Sequence, residues 1–545
     1  MKKISIKGLL AVMLAATLSV PVIACKGGDG GGAELPEEDS YKITERAADF
    51  SYYPKTVMNE EGKLYVFGSG MDTQRLITAQ AIQGLFAQDK VTFYLANDNP
   101  TRYWLEDLKN AYDITTENVD FEGMLGHYKA KLADDYGYIL YDKASPQTVN
   151  VACTLSGITG WLPVDVSLAD TVQAAGLTER LDVTARTERW CFDNYKAQLN
   201  NKYLVQQPGG NARLRDFGIA NKLFFFYQDA VTTTAINFRG EIHAWAEGDA
   251  PIFGWGPGSE DSHVGIATMN SQFTIPSDHC VNMTVFGARD YYNITGFRQP
   301  NESAAITANP AKHYVSFIRS DGDNIQTWFG TFPFSTDDMA ATRGNFPMGW
   351  SIQPSLTDIA PNIIADVYKT AKGGDYFVAA VSGMGYMYPN TFPRLADFVG
   401  SLDIYLKRAD LNLVQILDSG PSQKVIEYYS RIPSLKGGIY AYGNKYIGGN
   451  GSVYWSANGK PFVSFRESLW DVSPEYMANR INSFPVNPSD ISGYSLINLH
   501  PWSMTYNDVK ATVSLLGENV QVVSPEQFFD LIIANVPKTN KLLTA

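Results

Sequence analysis

Asp321 and Asp323 stand two residues apart just after an apolar run, Tyr314–Arg319. In extended backbone such residues face the same side, so both carboxylates would open on one space. Like charges that close raise one pKa and leave a proton donor or acceptor near neutrality. An Asx-turn or a cation-binding loop is the other use of the same residues. Glu467 follows Arg466, whose guanidinium would hold a carboxylate ionised, as a base or nucleophile requires, or would form a structural ion pair. Asp418, in Asp-Ser-Gly, is a third candidate and also good turn material. Glycosidic hydrolysis needs two carboxylates flanking the bond, about 5 Å apart for retention and about 6.5–9.5 Å for inversion. The nominal pairing is Asp321 or Asp323 against Glu467. Tyr386, Tyr388 and Trp502 offer flat faces to a sugar ring. Asn324, Gln353, Arg466, His500 and His263 are candidate hydrogen-bonding partners for its hydroxyls.

These residues sit at the ends of apolar runs that recur from about residue 312 onward. Eight runs read as strands: Tyr314–Arg319, Met348–Gln353, Tyr376–Val381, Asn412–Leu417, Gly438–Tyr442, Phe462–Arg466, Tyr494–Leu499 and Val520–Val523. Amphipathic stretches separate most of them, which implies a parallel sheet. So many strands favour an α/β fold closed into a (β/α) barrel of seven or eight strands over 311–545, with a doubly wound open sheet as the alternative. In such barrels the catalytic groups come from the C-terminal ends of different strands, where the candidates above lie.

Upstream, 46–250 alternates in the same way and reads as an α/β region. Leu64–Phe67, Val91–Leu95, Gly137–Tyr141, Val149–Ala152 and Leu162–Val166 are its candidate strands, and Thr73–Phe86 is a helix. No strand is followed by a phosphate-binding glycine fingerprint, and no cofactor or metal is expected. Segment 251–310 reads as a loop-rich connection packing on the barrel, with a Trp255 loop and the run Glu260-Asp261-Ser262-His263 as lid or cleft wall.

Lys2, Lys3 and Lys7, the apolar stretch Leu9–Val20 and the sequence Val22-Ile23-Ala24-Cys25 read as a lipoprotein signal over 1–24. Cys25 would carry the lipid, and 25–45 would be a glycine-rich tether. That places the protein outside the cytoplasm, on the bacterial envelope, held to the membrane by lipid alone. A net charge of −13 with no basic cluster argues against nucleic acid. Aromatic residues at 13%, with 31 tyrosines, suit carbohydrate. Cys153, Cys191 and Cys280 form no disulfide framework and fit no zinc spacing, and read as buried apolar residues.

The heptapeptide Gly383-Met384-Gly385-Tyr386-Met387-Tyr388-Pro389 resembles the signature of the GxGYxYP family, bacterial proteins labelled glycoside hydrolases from their company among sugar-processing proteins. The resemblance runs over most of the mature chain and implies a carbohydrate substrate. A second likeness is to the polysaccharide deacetylases, in Asp321-Gly322-Asp323 and Leu499-His500-Pro501. Those enzymes bind metal through His-x-x-x-His, which the histidines at 127, 243, 263, 279, 313 and 500 do not supply. A non-catalytic glycan-binding protein would carry the same aromatic and acidic residues.

Overall fold

The computed structural model describes residues 41–132, 135–228, 231–300, 303–331 and 343–538. The signal sequence, Cys25 and nearly all of the tether lie outside them. Among the described residues no helix is long and apolar enough to cross a membrane.

Three small parallel sheets precede the large one. Strands β1 (Lys63–Phe67), β2 (Phe93–Leu95) and β3 (Thr115–Asn118) pair in the order β2-β1-β3. Strands β4 (Tyr138–Tyr141), β5 (Leu162–Asp165) and β6 (Glu179–Asp182) pair as β5-β4-β6. The third sheet, β10-β9-β7-β8, takes in β7 (Leu204–Gln206), β8 (Phe225–Phe226), β9 (Pro251–Gly254) and β10 (Phe273–Ile275). The first part of segment 251–310 is more regular than a loop-rich connection, because β9 and β10, with helix Glu260–Met269 between them, extend the sheet begun by β7. Strands of three or four residues are too short to show alternation against the glycines around them. Val149–Ala152 is likewise not a strand. It lies within the helix Pro146–Thr159, which proline opens and a left-handed Gly160 closes. That helix is buried on nearly every side, so it lacks the 3.6-residue stripe that marks a surface helix.

Helix Thr73–Ala87 is central to this half. Asp72 caps it, accepting from the Arg75 N–H at 2.9 Å, and Ile77, Ala79, Ala81 and Ile82 are fully buried. Gly84 lets helix Arg215–Ala220 lie against it, since a Cβ there would stand 2.6 Å from the Asp216 carbonyl oxygen.

The large sheet holds ten strands: β11 (His313–Arg319), β12 (Met348–Ile352), β13 (Asp375–Ala379), β14 (Leu413–Asp418), β15 (Gly437–Tyr442), β16 (Val453–Trp455), β17 (Pro461–Val463), β18 (Glu467–Leu469), β19 (Tyr494–Leu499) and β20 (Val520–Val522). Their order is β16-β17-β15-β14-β13-β12-β11-β19-β18, with β20 also on β11, and only β16 runs antiparallel to its neighbour. The central strands are buried along their whole length and read as continuous apolar runs, as strands covered on both faces do. The expected strand Phe462–Arg466 is broken. β17 pairs with β15 and β18 with β19, and Ser464–Arg466 lies between them. There the Arg466 guanidinium turns aside to the carbonyls of Ser492 (2.9 Å) and Tyr494 (3.2 Å).

At the exit of β11 the backbone of Gly322 lies flush on β12. A Cβ there would stand 1.7 Å from the Ser351 carbonyl oxygen. Gly322→Ala should therefore destabilise the fold by roughly 2–4 kcal/mol in urea melts, since backbone must move. Gly420→Ala, which meets nothing within 4 Å, should change stability by less than about 1 kcal/mol.

Candidate functional site

Asp321 takes a left-handed backbone (φ 61°), so the chain turns sharply after β11 instead of staying extended. The Gly322 N–H donates to Ser351 Oγ at 2.9 Å, and Trp328 Nε1–H donates to the Gly322 carbonyl at 3.0 Å. This turn, and not strand alternation, brings Asp321 and Asp323 to the wall of one cavity of about 350 Å³. Asn324 joins them from the same turn. Tyr386 enters after β13, Tyr446 after β15, Trp470 after β18, and His500 and Trp502 after β19. Trp255, Glu260 and Asp278 come from the third small sheet and its connections.

The Gly383–Pro389 loop joins those two parts. Ser382 (φ 51°) and Gly383 (φ 112°) turn the chain out of β13. Gly385 then passes against the Phe273 ring, which a Cβ would approach to 2.2 Å. Tyr386 and Thr274 exchange two backbone hydrogen bonds of 2.8 Å, an antiparallel bridge to β10. The Met384 carbonyl accepts from Ser355 Oγ (2.7 Å) and Tyr53 Oη (3.1 Å). Tyr386 Oη donates to Glu260 Oε1 and Tyr388 Oη to Asp261 Oδ1 at 2.8 Å, so both phenols hold the first turn of helix Glu260–Met269. Tyr388 is not among the residues that line this cavity.

Burial and mutual repulsion set the protonation. Burial pushes the Asp321 carboxyl up to about 6, with the Glu260 charge adding to it. Asp323 rises well above the usual carboxylate range through burial and then the Asp321 charge. Glu260 is an exposed residue, yet its carboxyl is raised by the loss of water where it turns into the cavity, against the hydrogen bond from Tyr386, and Asp261 adds to the rise. Burial takes the His500 imidazole down to about 4, so it stands neutral at pH 7. His500 stacks on Trp470 with ring centroids 3.3 Å apart, meets Ser503 Oγ at 2.8 Å through Nδ1, and holds Nε2 3.7 Å from Asp321 Oδ2.

Several expected site residues lie elsewhere. Glu467 does not face the aspartates. It accepts from Arg480 Nε and Nη2 at 2.9 and 2.5 Å, an ion pair to the outer helix Pro474–Asn482. Arg466 packs on the Phe484 ring at 3.7 Å. Asp418 is occupied by Asn390 N–H (3.0 Å), Tyr440 Oη (3.0 Å) and Ser419 N–H (2.8 Å), bracing the end of the tyrosine loop. His263 sits behind Trp255, ring centroids 4.3 Å apart, with Nδ1 at the Ser259 carbonyl. Gln353 is buried and does not line the cavity. Asp321, Asp323, Asn324, Tyr386, His500 and Trp502 do come together. Glu260, the first residue of helix Glu260–Met269, also lines the cavity, at a helix start where an acidic side chain usually needs no further reason. Among the described residues no group of three or more His, Cys, Asp or Glu is arranged to hold a metal, and Cys153, Cys191 and Cys280 are free and buried.

Comparison with known proteins agrees in extent with this layout. Residues 311–533 match the profile described as "GxGYxYP putative glycoside hydrolase C-terminal domain". Residues 201–288 match the GxGYxYP third domain, and 136–199 the GxGYxYP_N second domain. The chain is similar to the crystal structure of a "putative hydrolase" from Bacteroides thetaiotaomicron VPI-5482, at 28% identity and a TM-score of 0.82, over 92% of this chain and 99% of that one. A search of curated proteins finds no match.

Asp321 binds its proton more tightly folded than unfolded, so its contribution to stability is present at low pH and fades as pH rises from its ordinary value of 3.8 through about 6. Asp321→Asn should therefore raise stability at pH 7.5 by roughly 1–3 kcal/mol and have little effect at pH 3.5, as read from denaturant midpoints. An unchanged midpoint at pH 7.5 would contradict the burial cost assigned to this carboxyl.

Proposed function

Because the chain belongs to the GxGYxYP family, we propose that it hydrolyses a glycosidic bond between Asp321 and Glu260. The observation that carries this reading is the convergence of four carboxylates, the buried Asp321 and Asp323 with Glu260 and Asp278 from a separate part of the chain, in one cavity walled by Trp255, Trp470 and Trp502. In this reading β17 and β18 are one interrupted strand that links β15 to β19 and closes a seven-stranded barrel, with the cavity at its C-terminal mouth. The signal sequence and Cys25 support a lipid-anchored, extracytoplasmic location.

In this reading the raised carboxyls divide the roles. Burial and the neighbouring Asp321 charge favour the protonated form of Asp323, which eases the ionisation of Asp321 above about 6. Glu260, with Oε1 engaged by Tyr386, offers a proton from Oε2 to the glycosidic oxygen. The bond from that oxygen to the anomeric carbon breaks, and the Asp321 carboxylate stabilises the positive charge that develops. Water ends with its oxygen on the anomeric carbon and its proton on Asp321, and transfer of that proton back to Glu260 restores the site. The tryptophan faces hold the ring, and Asn324 and neutral His500 take its hydroxyls.

Release of reducing ends from a panel of plant, host and microbial glycans tests this. Wild type should release sugar, with a rate rising through about pH 6 as Asp321 ionises. Asp321→Asn and Glu260→Gln should each lose about a hundredfold or more, while Glu467→Gln stays within a few-fold. Silence from wild type, with glycan binding kept by all three variants, would make this a binding protein instead.

A further inference from the structure

A second cavity, of about 540 Å³, adjoins the first and shares Gln326 and Trp502 with it. Tyr94, Pro100, Trp104, Val281, Phe286 and Phe329 supply its apolar wall. The polar atoms behind that wall are already engaged. Tyr94 Oη donates to the Thr101 carbonyl (2.8 Å), Trp104 Nε1–H to the Phe329 carbonyl (2.7 Å) and Thr327 Oγ1 to the Asn324 carbonyl (2.9 Å). Asn282 Oδ1 accepts from Leu95 N–H (2.8 Å) and Gln83 Nε2 (2.9 Å), while its Nδ2 donates to the Leu95 carbonyl (2.8 Å). Arg213 and His279, which also wall a neighbouring cavity, mark one end.

A sugar ring carries a hydroxyl on most of its carbons, and each one loses water on entering such a space. Asp98, Arg213, His279 and Gln326 also reach the cavity, but aromatic and aliphatic side chains make most of its wall, so the many hydroxyls of a second sugar unit would be poorly received. An apolar ring system meets the opposite condition, and the volume falls in the ordinary range for small-molecule sites. We propose that the substrate is a glycoside of an apolar aryl or polycyclic aglycone. Its sugar would occupy the carboxylate cavity and its aglycone would lie among Tyr94, Trp104 and Phe286. This rests on the hydrolase reading for the bond cleaved, though not for the binding of the aglycone.

Gly330 lines this cavity, and a Cβ there meets nothing within 4 Å, so a side chain can start at this position without displacing backbone, and Gly330→Trp is the variant chosen to occupy the space. Free 4-methylumbelliferone, followed by fluorescence polarisation, should bind the full chain, and Gly330→Trp should weaken it at least tenfold. The ratio of KM for the 4-methylumbelliferyl glycoside to KM for the methyl glycoside of the same sugar should rise at least tenfold in that variant. Umbelliferone binding that Gly330→Trp weakens, without turnover of any glycoside, would support the aglycone cavity while overturning the hydrolase reading. Failure of wild type to bind umbelliferone, or preference for linear oligosaccharides over aryl glycosides with no effect of Gly330→Trp, would overturn the proposal.

Discussion

The bridge between Thr274 and Tyr386 is the contact on which the site depends. Its two hydrogen bonds contribute about 1 kcal/mol each by ordinary measure. What makes them decisive is that they tie the third small sheet to the loop leaving β13, and so fix Glu260 relative to Asp321. Gly385 permits that approach by leaving room for the Phe273 ring. Tyr386 then extends the bridge through its side chain to Glu260, so one residue carries both the backbone and the side-chain link. The signature heptapeptide is thus foremost a joint, and only secondarily a surface for ligand.

Around that joint the protein confines charge that water would otherwise solvate. Asp321 and Asp323 resist ionisation because they are buried near one another, and Glu260, an exposed residue whose carboxyl turns into the same cavity, is raised as well. Such a cluster opposes folding and is the kind of local conflict that functional sites keep while the rest of the fold is consistent. The ion pairs elsewhere show the contrast. Asp358, for instance, is met by Arg289 at 3.1 Å and Arg408 at 3.2 Å, so its charge is compensated. No comparable cation lines the carboxylate cavity among the described residues.

Much of the large sheet was legible in the sequence, because strands buried on both faces write long apolar runs. Tyr494–Leu499 matches its run to the residue, and the other runs fall within a residue or two except Phe462–Arg466. That strand breaks because Arg466 finds carbonyl partners outside the sheet, which no local pattern reveals. The start of segment 251–310 reads as loop for the opposite reason, since β9 and β10 are too short to show a period. The site was half legible. Asp321, Asp323, Asn324, Tyr386, His500 and Trp502 all followed from their place at strand ends. Glu467 met the same criterion and yet faces Arg480, because residues beside a strand end point to either side of the sheet. Glu260 opens a helix some sixty residues upstream; its run reads as a lid or cleft wall, but only tertiary packing brings its carboxyl beside Asp321 and Asp323.

The most direct test of this account is a crystal structure of the Asp321→Asn variant with a non-hydrolysable aryl thioglycoside bound. The account expects the bridging sulfur between residue 321 and Glu260, with the sugar ring against the tryptophans of the carboxylate cavity. A ligand seated beside Glu467 or Asp418, or one whose sulfur lies out of reach of Glu260, would contradict it.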